Sequence, residues 1–334
     1  MPVHDLGYRR WKGEFRSRGL RFLPMVRYHL ADAMKRRLVW LILFVAMVPA
    51  IVLTAMIYIG AQAAEGSEGG LGPIFQGVLS QFGAVDRGDT GSHDPFLEPQ
   101  APAEAEVSTL ADQYWLVSRY GFQFFLVHIQ GYFVLLISSV VGAGLVARDL
   151  KSNALEVYLT KPITAVDYIL GKLTIVACFV FAVTFLPALM LFTAASSLWV
   201  GFFSAAWPIL FCLTGFCALV ALVNGMVILG LSSLAKSARF ATVFWFSVAF
   251  ITGLVGIQLS MVTHSRTAGL VSYRENFNVL AGWVFRTRPF QQITDQIAYQ
   301  DGAPSILIPL MILGAYVSAS ILILRRTIRS LENR

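Results

Sequence analysis

Arg148-Asp149-Leu150-Lys151-Ser152-Asn153-Ala154-Leu155-Glu156-Val157-Tyr158-Leu159-Thr160-Lys161-Pro162 separates two long apolar runs, and Gly171-Lys172 closes the polar stretch. Asn153 is placed to cap a helix and Glu156, three residues on, to reach back to it. Pro162 forbids continuation and restricts Lys161 before it. The spacing predicts a helix of roughly two turns. Leu155, Tyr158 and Leu159 fall on one side of it at intervals of three and four, with the charges elsewhere. Set between membrane-length runs, such a helix lies at a membrane surface, and its apolar face needs a partner to cover it.

The composition around this insert is that of a membrane. Hydrophobic residues make up 56% of the chain and charged residues 13%, and mean hydropathy is +0.66, outside the balance of a soluble domain. Runs of about 20 apolar residues, enough to cross a hydrocarbon core of about 30 Å, occur at 38–60, 121–147, 173–199, 207–234, 240–262 and 305–324. The expected fold is therefore an all-α polytopic membrane protein with six transmembrane helices. Six crossings put both termini on one side. Lysine and arginine decide which side, because positive loops stay in the cytoplasm. Twenty of the 26 Lys and Arg residues fall on the segments shared with the termini, ten of them before residue 38, and the other six on the opposite side. Both termini and the insert are thus expected in the cytoplasm, where anionic lipid headgroups attract the basic surface. Nucleic acid is not the expected partner, since no basic patch interleaved with stacking aromatics stands on a soluble domain.

Residues 1–37 form a basic leader. Within it, Leu23, Val26, Leu30 and Met34 recur at helical spacing, which predicts an amphipathic helix at the inner interface. Ala61-Gln62-Ala63 has the look of a signal cleavage site, but the leader and the first run are both too long for a signal peptide, so the first span is expected to be retained. The outer loop 61–120 carries nine acidic residues against Arg87 and Arg119 and is rich in Gly and Pro, the composition of irregular chain. Its Asp86–Asp94 stretch does not have EF-hand spacing. The second outer loop, 263–304, holds Val279 to Phe285 and then Phe290, Ile293 and Ile297. These pieces are too short to cross and predict helices at the outer interface or dipping partway in.

Catalytic chemistry is missing. The five histidines lie in five different segments, and Cys178, Cys212 and Cys217 fall inside spans, where cysteine acts as a small apolar residue. Gly171-Lys172 resembles the end of a nucleotide-binding loop, but Val166 replaces its first glycine and Leu173 its Ser or Thr. No enzymatic activity and no cofactor of its own is expected for this chain.

The insert, from Ala147-Arg148-Asp149 through Leu155-Glu156-Val157-Tyr158-Leu159-Thr160-Lys161-Pro162 to Leu170-Gly171-Lys172, resembles the segment after the second span of ABC-2 type transporter permeases. Leu155, Glu156, Pro162, Gly171 and Lys172 match that family's pattern, Asp149 stands for its usual Glu, and Asn153-Ala154 for its Gly-Thr. The basic leader, six spans and a fifth-to-sixth outer loop of short helices agree at the level of architecture. The resemblance implies a permease subunit in the inner (cytoplasmic) membrane of a bacterial cell. It further implies a second permease copy or paralogue and two ABC ATPase subunits, with ATP and Mg²⁺ bound on those partners. The short helix would be the coupling helix that seats in the ATPase. Asp149, Leu155, Glu156, Tyr158, Leu159, Pro162 and Lys172 are then the ATPase-coupling residues, with Arg148, Asp149, Lys151 and Glu156 as a charged rim. Thr164 begins a second capping box with Asp167, so that the third span starts as a rigid lever.

Intramembrane polar residues are costly and tend to face protein or a water-filled path. Gln123 and His128 on the second span, Asn224 on the fourth and Gln258 on the fifth are accordingly the candidates for a substrate path. Helix-to-helix hydrogen bonding is the commoner use of a lone Asn or Gln. Pro49, Pro187 and Pro309 are expected to kink their spans. Two functions fit these features: an exporter permease moving a substrate with its partner's ATP, or a mechanical subunit that relays ATPase motion to periplasmic or envelope partners through loop 61–120.

Overall fold

A computed structural model describes residues 22–65, 118–152, 164–287 and 304–332. Among the described residues the fold is helical, without strands, and six helices are long and apolar enough to span a membrane. A leading helix α1 (Leu23–Met34) precedes the first span, α2 (Arg37–Glu65). The second span, α3, is a helical run from Ser118 to Lys151 that contains a π segment at Phe125–Gln130 and a break at Ala143 and Gly144. The third, α4 (Ala165–Leu198), is joined through a short α5 (Phe202–Ala206) to the fourth, α6 (Ile209–Leu234). The fifth, α7 (Ala238–Thr263), is followed by a 3-10 turn, Ala268–Val271, and α8 (Tyr273–Phe285), and α9 (Leu307–Glu332) is the sixth.

α4 and α6 form the centre. Their apolar windows are 56% and 61% buried, against 22% for α2, 17% for α7 and 22% for α9, which form the outer wall. Lipid tails are as apolar as leucine, so these helices are held by close packing and hydrogen bonds more than by exclusion of water. Small residues make the close packing possible. A β-carbon on Gly230 of α6 would lie 2.7 Å from Ser320 Cβ of α9, and one on Gly256 of α7 would lie 2.8 Å from the Gly269 carbonyl oxygen. The turn into α5 uses Gly201 at φ +85°, a conformation that glycine adopts without steric cost.

Two spans outrun the apolar runs that predict them. α3 and α4 each contain 34 residues, about 50 Å at a rise of ~1.5 Å per residue, whereas the hydrocarbon core is only about 30 Å thick. The third span begins at Ala165 instead of 173, with its first turn capped locally. Thr164 Oγ1 accepts from the Asp167 backbone N–H at 3.2 Å and Asp167 Oδ2 accepts from the Thr164 N–H at 3.1 Å, the capping box expected there. Pro309 is a correction. It sits in the first turn of α9, where an N–H has no helical acceptor to lose, so it starts the span and leaves it unkinked. Pro49 and Pro187 do lie inside their helices.

Candidate functional site

The insert 153–163, with Leu155, Glu156, Tyr158, Leu159 and Pro162, lies outside the described residues. The structure defines the two helix ends that hold it. Asp149, in the last turn of α3, and Lys172, in the second turn of α4, form an ion pair of 2.8 Å between Lys172 Nζ and Asp149 Oδ2. Tyr168 donates its hydroxyl to the same Oδ2 at 2.9 Å. Lys172 is fully buried and Asp149 is 8% exposed, so Asp149 turns inward and leaves the charged rim assigned to it. A carboxylate and an ammonium in this position are tolerated because each satisfies the other and neighbouring donors and acceptors share the load. Both side chains are thus buried between the helices they join.

α1 completes this clamp. His29 Nε2 lies 3.1 Å from Lys172 Nζ. An ammonium can only donate, so His29 accepts through Nε2, is neutral, and carries its proton on Nδ1. Burial, reinforced by the Lys172 charge, holds the His29 imidazole below its ordinary pKa. Gly171 lies under α1 beside Lys172, where a β-carbon would press on the tip of the Met25 side chain and sit 3.4 Å from Phe22 Cβ. α1 buries Met25, Val26 and Ala33 and leaves Leu23 exposed. The seam is thus rotated from the predicted Leu23–Met34 line toward the gap that Gly171 opens.

The break in α3 lies just before the clamp and is bridged by one side chain. Ser232 Oγ of α6 accepts from the Val146 and Ala147 N–H groups at 3.2 and 3.0 Å and donates to the Ala143 carbonyl at 2.7 Å. Three backbone groups freed by the break are thereby satisfied away from water, as a membrane interior requires. The terminal piece Leu145–Lys151, which carries Asp149, is consequently an articulated segment with a fixed pivot.

At the opposite end of the bundle, α3, α6, α7 and α8 enclose a cavity of about 380 Å³. Two predicted path residues, His128 and Asn224, line it. Asn224 Oδ1 accepts from the Tyr273 hydroxyl at 3.2 Å. His128 Nδ1 lies 2.9 Å from an Arg274 guanidinium nitrogen, and a second one donates to the Tyr132 hydroxyl at 2.9 Å. The other two candidates are elsewhere. Gln123 is buried and joins α3 to Asn278 at 3.4 Å and to Thr287, a structural link. Gln258 is exposed on the outer face of α7. Sequence reasoning missed Tyr132, Tyr273, Arg274 and Glu275. Ser272 with Glu275 three residues later was the available signal: Ser272 Oγ does cap α8 by accepting from the Glu275 N–H at 3.3 Å. α8 is therefore longer than the apolar piece 279–285, and nine of its 13 residues are buried in the bundle.

A search of curated proteins gives no match to this chain. The profile of a family described as ABC-2 family transporter protein matches residues 25–326, a stretch that runs from within α1 into the sixth span and includes both helix ends of the insert. The chain is a multi-pass membrane subunit of an ABC transporter, and it belongs to the ABC-2 family of transporter proteins.

Proposed function

We propose that this chain is the permease of an ATP-driven exporter, worked by two ATPase subunits on the side of the membrane that holds both termini, and paired with a second permease copy. The Asp149–Lys172–Tyr168 clamp carries this reading. It ties the end of α3 to the start of α4 on either side of the 153–163 insert, so a push on the insert is delivered to both helices together. The excess of Lys and Arg puts that end in the cytoplasm, where ATP is. Leu155, Tyr158 and Leu159 supply the apolar face that enters the ATPase, and Glu156, Arg148 and Lys151 its rim. ATP and Mg²⁺ belong to the partner. The far-end cavity favours movement of a solute over a purely mechanical role, which would use loop 61–120 as its contact and would have no need of an internal chamber.

Affinity capture of the tagged chain from native membranes, followed by mass spectrometry, tests this. Export predicts ATPase subunits as the main partners. Recovery of periplasmic or envelope proteins in fixed ratio would favour the mechanical role, and recovery of no ATPase would reject both.

A further inference from the structure

The far-end cavity holds a cation, Arg274, that makes no ion pair among the described residues. Arg274 is half-buried, with its guanidinium carbon 4.7 Å from the centre of the Tyr132 ring. Of its five N–H donors, Tyr132 and His128 engage two. Neither hydroxyl nor neutral imidazole offers negative charge, and among the described residues the ion pairs are made by Asp32 and Asp149 at the other end of the bundle. The neighbouring carboxylate, Glu275, instead accepts from Asn278 Nδ2 at 3.1 Å. Burial pushes its carboxyl above the ordinary range, against the pull of Arg274 and Arg266. Arg266 lines the same chamber.

Much of the remaining wall is apolar, with Val127, Leu135, Val220, Phe250 and Leu254 among the lining residues. Tyr132, Phe250 and Leu254 at the rim are 50%, 54% and 65% exposed, so the chamber opens sideways between α3 and α7, toward the lipid. Its volume falls in the range of roughly 300–1,000 Å³ common for small-molecule clefts. The π segment contributes here too. It carries His128 in a widened turn of α3, a local distortion frequent at functional sites. A half-buried guanidinium is stabilised by bidentate pairing with an acid, and the adjoining wall accepts a hydrocarbon chain.

We propose that this cavity binds an anionic amphiphile, its phosphate or carboxylate paired with Arg274 and its chain laid along Val127, Leu135, Val220 and Phe250. As a statement about cargo this rests on the export reading; as a binding site it does not.

The test uses the purified permease–ATPase complex in a non-ionic detergent, with oleoyl lysophosphatidic acid as the probe and thermal shift plus native mass spectrometry as readouts. Oleylamine tests the charge preference and inorganic phosphate tests a free-anion site. The lysophospholipid should bind and raise Tm, and neither comparator should do so at equal concentration. Arg274→Gln should weaken binding about tenfold, equivalent to ~1.4 kcal/mol. Gly253→Leu should weaken it as strongly by filling the chamber, because a β-carbon at Gly253 meets nothing nearer than Ser272 Oγ at 4.0 Å. It also keeps the test alive if Arg274→Gln does not fold. Equal binding of oleylamine, equal binding of phosphate alone, or unchanged affinity in Gly253→Leu would each overturn the proposal. Specific binding without ATP-driven movement of the probe would remove the cargo role and leave the site. Loss of ATPase co-purification bears on the export reading alone.

Discussion

Removing the Lys172 ammonium would strand the Asp149 carboxylate in the bundle with Tyr168 as its remaining donor. Breaking a buried pair from one side costs about 3–5 kcal/mol, whereas replacing both members by apolar residues is often close to neutral. Lys172→Met should therefore lower the denaturation midpoint sharply, and Asp149→Leu combined with Lys172→Met should recover most of the loss. A midpoint for the double variant as low as the sum of the singles would show that the two groups act independently. His29 adds a pH dependence to the same clamp. Its folded pKa lies below the ordinary 6.5, so the neutral form is favoured when α1 is docked. That contribution is complete above pH 6.5 and is lost as the pH falls through the lowered value, where two cations would meet 3.1 Å apart. Labelling of Met25→Cys by a hydrophilic thiol reagent, normalised to Tyr28→Cys, should rise on acidification below 6.5. His29→Gln, which still accepts from Lys172, should flatten the response.

At the scale of the elements, the pivot in α3 depends on Ser232. Ser232→Ala orphans the Val146 and Ala147 N–H groups and the Ala143 carbonyl, at about 1–3 kcal/mol for each buried group left unsatisfied. Hydrogen exchange of Leu145–Lys151 should accelerate while α4 keeps its protection, and equal protection in the variant would mean that the break is bridged otherwise. This pivot was not legible in the sequence, because Ser232 in an apolar run looks like any small interfacial residue and its hydrogen-bond partners lie more than 80 positions away. Local signals were legible. The six apolar runs, the Thr164–Asp167 capping box and the short helix before α9 all follow from spacing alone. Where span ends were misplaced, as for α4, polar residues read as loop were satisfied across helices by partners such as Asp149. The Lys172–Asp149 pairing joins two residues singled out separately, and the far cavity needed α8 folded back onto α3, a contact that periodicity does not encode.

Across the whole molecule, a chamber with a cationic wall at one end and an articulated clamp at the other are connected by α3 and α4, each about 50 Å long by the usual helical rise. Tilting the pair at the clamp displaces Leu135, His128 and Tyr132 relative to α7 and α8, which is how force on the insert would reach the chamber. The account stands on the ATPase gripping residues 153–163. Substituting Leu155→Asp and Tyr158→Asp together places unpaired charge in that groove, a cost of several kcal/mol, without touching Asp149 or Lys172. The decisive measurement is ATPase recovered per permease after affinity capture of this double variant from membranes. Near-complete loss of the ATPase, with insertion and denaturation midpoint unchanged, is the predicted result, and recovery at the wild-type ratio would contradict it.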